Sequence, residues 1–191
     1  MKGFKFDPAK LHKLNDKERL KDIPPAFIKE KMNLSEGAIL IDLGAGTGFF
    51  SKQFAEIPEI KKVYALDIAD EMIDYMTEYV MPEYNSISPL KMKESEIPLA
   101  DNTSDGLIMI NLYHELDDPG KILTECSRVL SSGAKIAIID WKKKETEHGP
   151  PTAKRYSTNT VEDHLKKAYF RSVDICNELP NHFLITAENG K

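Results

Sequence analysis

Apolar residues recur along this chain at two spacings, and the change from one to the other divides it. Pro24–Pro25 opens a helix, and Ile23, Phe27, Ile28 and Met32 fall at helical spacing around it, which predicts one apolar face. Upstream, Asp7–Pro8 predicts a helix start, with Asp as N-cap and Pro in the first turn. Beyond residue 35 the pattern shortens. Ala38–Leu43 reads AILIDL, a nearly continuous apolar run of strand length, as expected of a strand buried on both faces of a parallel sheet. Glycines follow, then FFSKQFAEI as a helix. Lys62–Asp67 predicts a second strand, Glu71–Val80 a helix, Ser88–Lys93 a weak third strand and Asp105–Asn111 a strong fourth. Pro119–Leu130 carries Ile122, Leu123, Cys126, Val129 and Leu130 on one face, and Ser132–Gly133 is expected to end that helix. Lys135–Trp141 predicts a fifth strand. A loop with Gly149-Pro150-Pro151, a helix near Thr160–Tyr169 and strands at Ser172–Asn177 and His182–Glu188 complete the reading.

Strand and helix alternate five times at short intervals, the signature of an α/β protein with an open doubly wound sheet. The expectation is a single-domain Rossmann-like fold of seven strands, the last antiparallel. Residues 1–35 form a helical cover and residues 36–191 the core.

Composition narrows the function classes. The chain has 191 residues, 41% hydrophobic and 30% charged, with a formal net charge of −5. That is an ordinary globular mixture without a global pull toward nucleic acid or anionic membrane. Cys126 and Cys176 form no metal-ligand spacing and read as two small buried hydrophobes. The N-terminus lacks a signal-peptide apolar run, and no stretch approaches the roughly 20 apolar residues of a membrane span. A cytoplasmic protein is expected, with no metal and no membrane span; a homodimer is left open.

The chemistry concentrates where the first strand ends, in Asp42-Leu43-Gly44-Ala45-Gly46-Thr47-Gly48. Doubly wound sheets bind ligands beyond the carboxyl ends of their strands, and glycines let the backbone turn sharply and approach a ligand closely. The spacing is GxGxG, with Phe49 where a dinucleotide-binding turn would carry its third glycine, and the P-loop Lys-Ser/Thr pair is absent. Asp42 is a poor neighbour for a pyrophosphate and a good one for a cationic amino-acid group. Asp67 ends the second strand at a spacing suited to accepting hydrogen bonds from both hydroxyls of a ribose.

The segments AILIDLGAGTG, VYALDIADEM and IPLADNTSDGLIMINLYHEL resemble the class I S-adenosylmethionine-dependent methyltransferases, nearest to their small-molecule branch with the quinone-biosynthesis C-methyltransferases. The resemblance runs from about Asn33 to Trp141. It implies S-adenosyl-L-methionine as cofactor and S-adenosyl-L-homocysteine as product. It implies that Gly44, Ala45, Gly46 and Gly48 pass under the methionine part, with Asp42 near its ammonium. Asp67 would hold the ribose, and Ile68 and Met72 would pack on adenine. Where the family often has Asp-Ala-Glu-x-Leu-Pro, this chain has Lys93-Glu94-Ser95-Glu96-Ile97-Pro98. Glu94 is therefore assigned to the adenine amino group, with Glu96 as the alternative, and the Ser95 backbone to a ring nitrogen. Asn111 would lie against the methionine end.

A sulfonium methyl group is already activated, so the protein need supply only position and electrostatics. His114, between Tyr113 and Glu115 on the acceptor side, is the candidate general base if the acceptor must lose a proton. Its competing reading is a helix cap or loop packing. Trp141 is a candidate pocket wall, His148 to Pro151 and Arg155 a candidate lid, and Arg155 or Lys17 candidate anion contacts. The acceptor is expected to be a small molecule, and nucleic acid is not expected as a partner. The NPPY-type tetrapeptide of adenine- and glutamine-methylating enzymes is replaced by Asn111-Leu112-Tyr113-His114. The alternatives are a non-catalytic cofactor-binding module, a methyltransferase acting on a macromolecule, and an NAD-type oxidoreductase, against which the GxGxG spacing speaks.

Overall fold

The apolar runs become one seven-stranded sheet in the computed structural model, which describes residues 11–191. The Asp7–Pro8 helix start lies outside the described residues. The strands are β1 (Ala38–Leu43), β2 (Ile60–Asp67), β3 (Ile87–Lys91), β4 (Ser104–Ile110), β5 (Leu130–Trp141), β6 (Phe170–Cys176) and β7 (His182–Asn189). Their order across the sheet is β3-β2-β1-β4-β5-β7-β6, and β7 pairs antiparallel with both neighbours. The α-helices are α1 (Leu11–Leu14), α2 (Arg19–Asp22), α3 (Pro25–Met32), α4 (Phe49–Ala55), α5 (Asp70–Tyr79), α6 (Pro119–Val129) and α7 (Thr158–Lys167).

The near-continuous apolar strands are explained by burial on two sides. Along β1, Leu40 packs with Phe54 and Met76 in one cluster, while Ile41 packs with Leu123 and Ile138 in the other. The first cluster takes in Ile28 and Met32 of α3, so the second predicted helix docks on the sheet through its apolar stripe. The chain leaves β1 toward β2 and β3, then returns to place β4 on the other flank of β1. Strand order reverses there, and a crevice opens beyond the carboxyl ends of β1 and β4.

Two local expectations fail for long-range reasons. The strand–helix alternation breaks between β3 and β4, where residues 92–103 form no helix and only an isolated bridge joins Lys93 to Glu96. Arg128 of α6 holds this loop instead, donating to the carbonyl oxygens of Ile97 and Leu99, both at 2.8 Å. Ser132–Gly133 does not end α6. That helix stops at Val129, and Leu130 to Trp141 is counted as one long strand with Gly133 at φ 75°. The Asn189 side chain donates to the Ser127 and Leu130 carbonyls at 2.9 Å each, satisfying the helix end from a strand 59 residues away.

Candidate functional site

The turn after β1 is shaped by backbone demands. Gly44, Gly46 and Gly48 all have positive φ. A side-chain carbon on Gly44 would come within 2.8 Å of Leu112, so that position combines a left-handed backbone with a close approach. The N–H groups of Gly44 and Ala45 donate to the Leu66 carbonyl at 2.8 and 2.9 Å, which ties the turn to the end of β2. The Asp67 carboxylate completes the tie: Oδ2 accepts from Gly46 N–H at 2.8 Å, and Oδ1 accepts from Ala69 N–H at 2.9 Å. Burial pushes the Asp67 carboxyl above the usual range, against these backbone hydrogen bonds.

A cavity of about 500 Å³ lies over this turn. Asp42, Gly44, Ala45, Gly46, Asp67, Ile68, Glu94, Asn111 and His114 all line it, so the structure brings most predicted site residues to one hollow. Gly48, Met72 and Ser95 do not. Gly48 backs onto Met76, Met72 is fully buried in α5, and Ser95 sits in the turn of the Lys93–Glu96 bridge. Met92, whose N–H donates to the Asp67 carbonyl at 3.0 Å, lines the cavity instead of Met72. Asp42 is almost fully buried and accepts a 2.6 Å hydrogen bond from Ser51. Burial raises its carboxyl to about 6; Ser51 and the Arg19 charge work against the rise, and Asp67 adds to it.

The cofactor implied by the family fits these residues on two observations. Asn111 Oδ1 is buried at the cavity wall with no hydrogen-bond partner among the described residues, an acceptor that calls for a donor such as an ammonium. The glycine cradle admits close approach that side chains would forbid.

Arg19 is a lining residue that the sequence did not mark out. Its guanidinium donates to the Leu14 carbonyl and lies 4.7 Å from the Phe50 ring centroid. Burial lowers it to about 10, against the pull of Asp42 and Asp16. Nothing in the charged stretch KERLKD singles it out. The cover also touches the turn directly: Leu14 faces Gly46, and Thr47 Oγ1 donates to Asn15 Oδ1 at 3.0 Å.

The acceptor side differs from expectation in three places. Tyr113 is fully buried and shares a 2.8 Å hydrogen bond with His164, so it belongs to the core and not to the pocket wall. Lys17 is exposed and lines no part of the cavity. Arg155 is 4% exposed and is consumed by its own loop. It donates to the carbonyls of Pro150, Lys142 and Lys144 and to Thr146 Oγ1, with its guanidinium stacked over Trp141. It cannot double as an anion contact. Trp141, Gly149 and Pro150 do form cavity wall.

Behind Trp141, His182 packs its ring at 4.4 Å, with both nitrogens buried and without partners among the described residues. Burial lowers it to about 4, so it is neutral at pH 7. The unfolded chain binds this proton near 6.5, so stability present above that pH is lost as pH falls toward 4. Asp42 acts oppositely, its contribution being lost as pH rises through about 6. His182→Phe should therefore remove a loss of about 3 kcal/mol between pH 7 and pH 4, leaving the variant more acid-stable than the parent. Parallel urea unfolding curves of both proteins across that range test it; equal slopes against pH would contradict it.

Among the described residues no group of His, Cys, Asp and Glu could hold a metal ion, and no helix is long and apolar enough to cross a membrane. A methyltransferase domain family matches residues 41–138. The crystal structure of an S-adenosylmethionine-dependent methyltransferase from Aquifex aeolicus is 38% identical over 96% of this chain and 98% of that one, with a TM-score of 0.89. An uncharacterized methyltransferase of Mycobacterium tuberculosis is 31% identical over 58% of this chain and 42% of its own length. A ubiquinone/menaquinone biosynthesis C-methyltransferase of Haemophilus ducreyi is 27% identical, over 61% and 46%. The chain spans less than two thirds of the length of these curated relatives. With the glycine turn, Asp67 and the crevice at the strand-order reversal all in place, the chain belongs to the methyltransferase domain family, in its S-adenosylmethionine-dependent class.

Proposed function

We propose that this protein transfers the methyl group of S-adenosylmethionine to a small-molecule acceptor, working as one domain in which residues 1–35 cover residues 36–191. One observation carries this reading: the residues at the Asp67–Gly46 junction, Asn111, His114 and Trp141 line one cavity of about 500 Å³. Asp67 would hold the ribose, and Ile68 and Met92 would flank the adenine, with Glu94 at its amino group. Asn111 and Asp42 would face the ammonium and Arg19 the carboxylate of the methionine end. When bound, the sulfonium supplies an activated methyl group. The residues of this chain bind it, orient it and exclude water. Because Leu14 and Asn15 touch the glycine turn, removing the cover should impair cofactor binding as well as acceptor closure.

Relatives named for quinone C-methylation and malonyl-[acyl-carrier protein] O-methylation favour a small or carrier-borne acceptor. Two free, buried cysteines suit the cytosol as the proposed compartment. Incubation of the full chain with methyl-labelled S-adenosylmethionine and a metabolite extract should place label in low-molecular-weight products. Label found only in protein or nucleic acid would refute the small acceptor.

A further inference from the structure

At the acceptor end of the cavity, β4 passes into a 3-10 turn, Tyr113–Glu115, beside the last residues of β5. Asp140 is 3% exposed, and its carboxylate is committed to this junction. Oδ2 accepts from the backbone N–H of His114 at 3.0 Å, and Oδ1 accepts from Trp141 N–H at 2.7 Å. Oδ1 also lies 2.8 Å from His114 Nδ1. Nδ1 is the ring nitrogen in hydrogen-bond contact with a carboxylate, whereas the Nε2 contact to Glu115 is longer, so Nδ1 carries the ring proton and Nε2 becomes the basic atom. The His114 ring is nearly buried and lines the cavity. Nε2 stands 3.3 Å from Glu115 Oε1, and Glu115 reaches outward to Lys154, 3.9 Å from its Oε2. Buried carboxylate, imidazole, half-exposed carboxylate and exposed ammonium thus form a file from the sheet end to solvent.

We propose that Asp140, His114 and Glu115 form a proton-accepting chain. The acceptor of this enzyme is then a molecule whose nucleophilic atom still bears a proton at neutral pH, such as a hydroxyl, an N–H or a C–H acid, and not a thioether or tertiary amine. The inference rests on the methyl-transfer reading and adds the acceptor class to it. His114 is the catalytic residue; Asp140 is a positioning residue that fixes the tautomer and ring plane. The acceptor gives its proton to Nε2 and keeps the bonding pair, which forms the new bond to the methyl carbon. The pair of the old methyl–sulfur bond stays on sulfur. The imidazolium so formed lies between two carboxylates, and its proton leaves through Glu115 to water. A relay of this kind needs the file observed; a helix cap or a loop-packing histidine needs only the first contact. Besides Asp140, Glu115 and Lys154, the ionisable groups that line the same cavity as His114 are Asp42, Asp67, Glu94, Lys13 and Arg19.

Histidine-selective ¹⁵N NMR of the full chain at pH 8 reads the tautomer without turnover. The expected spectrum shows His114 protonated at Nδ1 and bare at Nε2. The Nδ1–H tautomer should lose its preference in Asp140→Asn, whose amide can turn a donor toward the ring, and persist in Glu115→Gln. With labelled methyl donor and metabolite extract, His114→Gln should lower turnover about 100-fold or more while S-adenosylhomocysteine affinity stays at the parent value. An Nε2–H tautomer, a ring protonated on both nitrogens at pH 8, or full turnover by His114→Gln would each overturn the proposal. Failure of the parent chain to bind S-adenosylhomocysteine would instead strike the methyl-transfer reading beneath it.

Discussion

Asp67→Ala should weaken S-adenosylhomocysteine binding roughly 5- to 150-fold, about 1–3 kcal/mol. Two losses combine. The ribose would lose an acceptor for both hydroxyls, and the glycine turn would lose the carboxylate that fixes the Gly46 and Ala69 N–H groups. Asp67→Asn retains one oxygen for the backbone but sets an amide donor against the other N–H, so it should melt between the parent and Asp67→Ala and still bind weakly. Dissociation constants measured beside thermal melts check both parts. Affinity unchanged in both variants would remove Asp67 from the site.

Arg155→Met should cost about 2–4 kcal/mol of fold stability in urea unfolding, because hydrogen bonds from a charged donor are strong and their loss strands buried acceptors. The carbonyls of Lys142, Lys144 and Pro150 would lose their donor, and Trp141 its stacked cation. The methionine stem keeps some of the packing, so the loss reports the guanidinium. The same change should loosen Gly149 and Pro150 from the cavity wall and raise proteolysis within residues 142–150. A stability change within about 0.5 kcal/mol would show that this loop is held by other contacts.

The sheet was legible because burial on both faces leaves a signal that is local in sequence: AILIDL and DGLIMIN read as strands without any partner. The glycine turn and Asp67 were legible because a positive-φ cradle and a strand-end carboxylate leave fixed residue types at fixed spacing. What escaped was set by contacts remote in sequence. The missing helix between β3 and β4 depends on Arg128, and the end of α6 on Asn189. Arg19 enters the cavity only because α2 folds back over α4. Met92 takes the wall position expected of Met72 because α5 turns Met72 into the core. Asp140 looked like an ordinary strand residue; its pairing with His114 spans 26 residues and two strand ends.

The hollow over the Gly44–Gly48 turn is expected to hold S-adenosylmethionine through Asp67. Calorimetric titration of the full chain with S-adenosylmethionine and, separately, with NAD decides this. One molecule of S-adenosylmethionine should bind per chain, with no heat from NAD. Absence of heat with S-adenosylmethionine, or comparable binding of NAD, would contradict it.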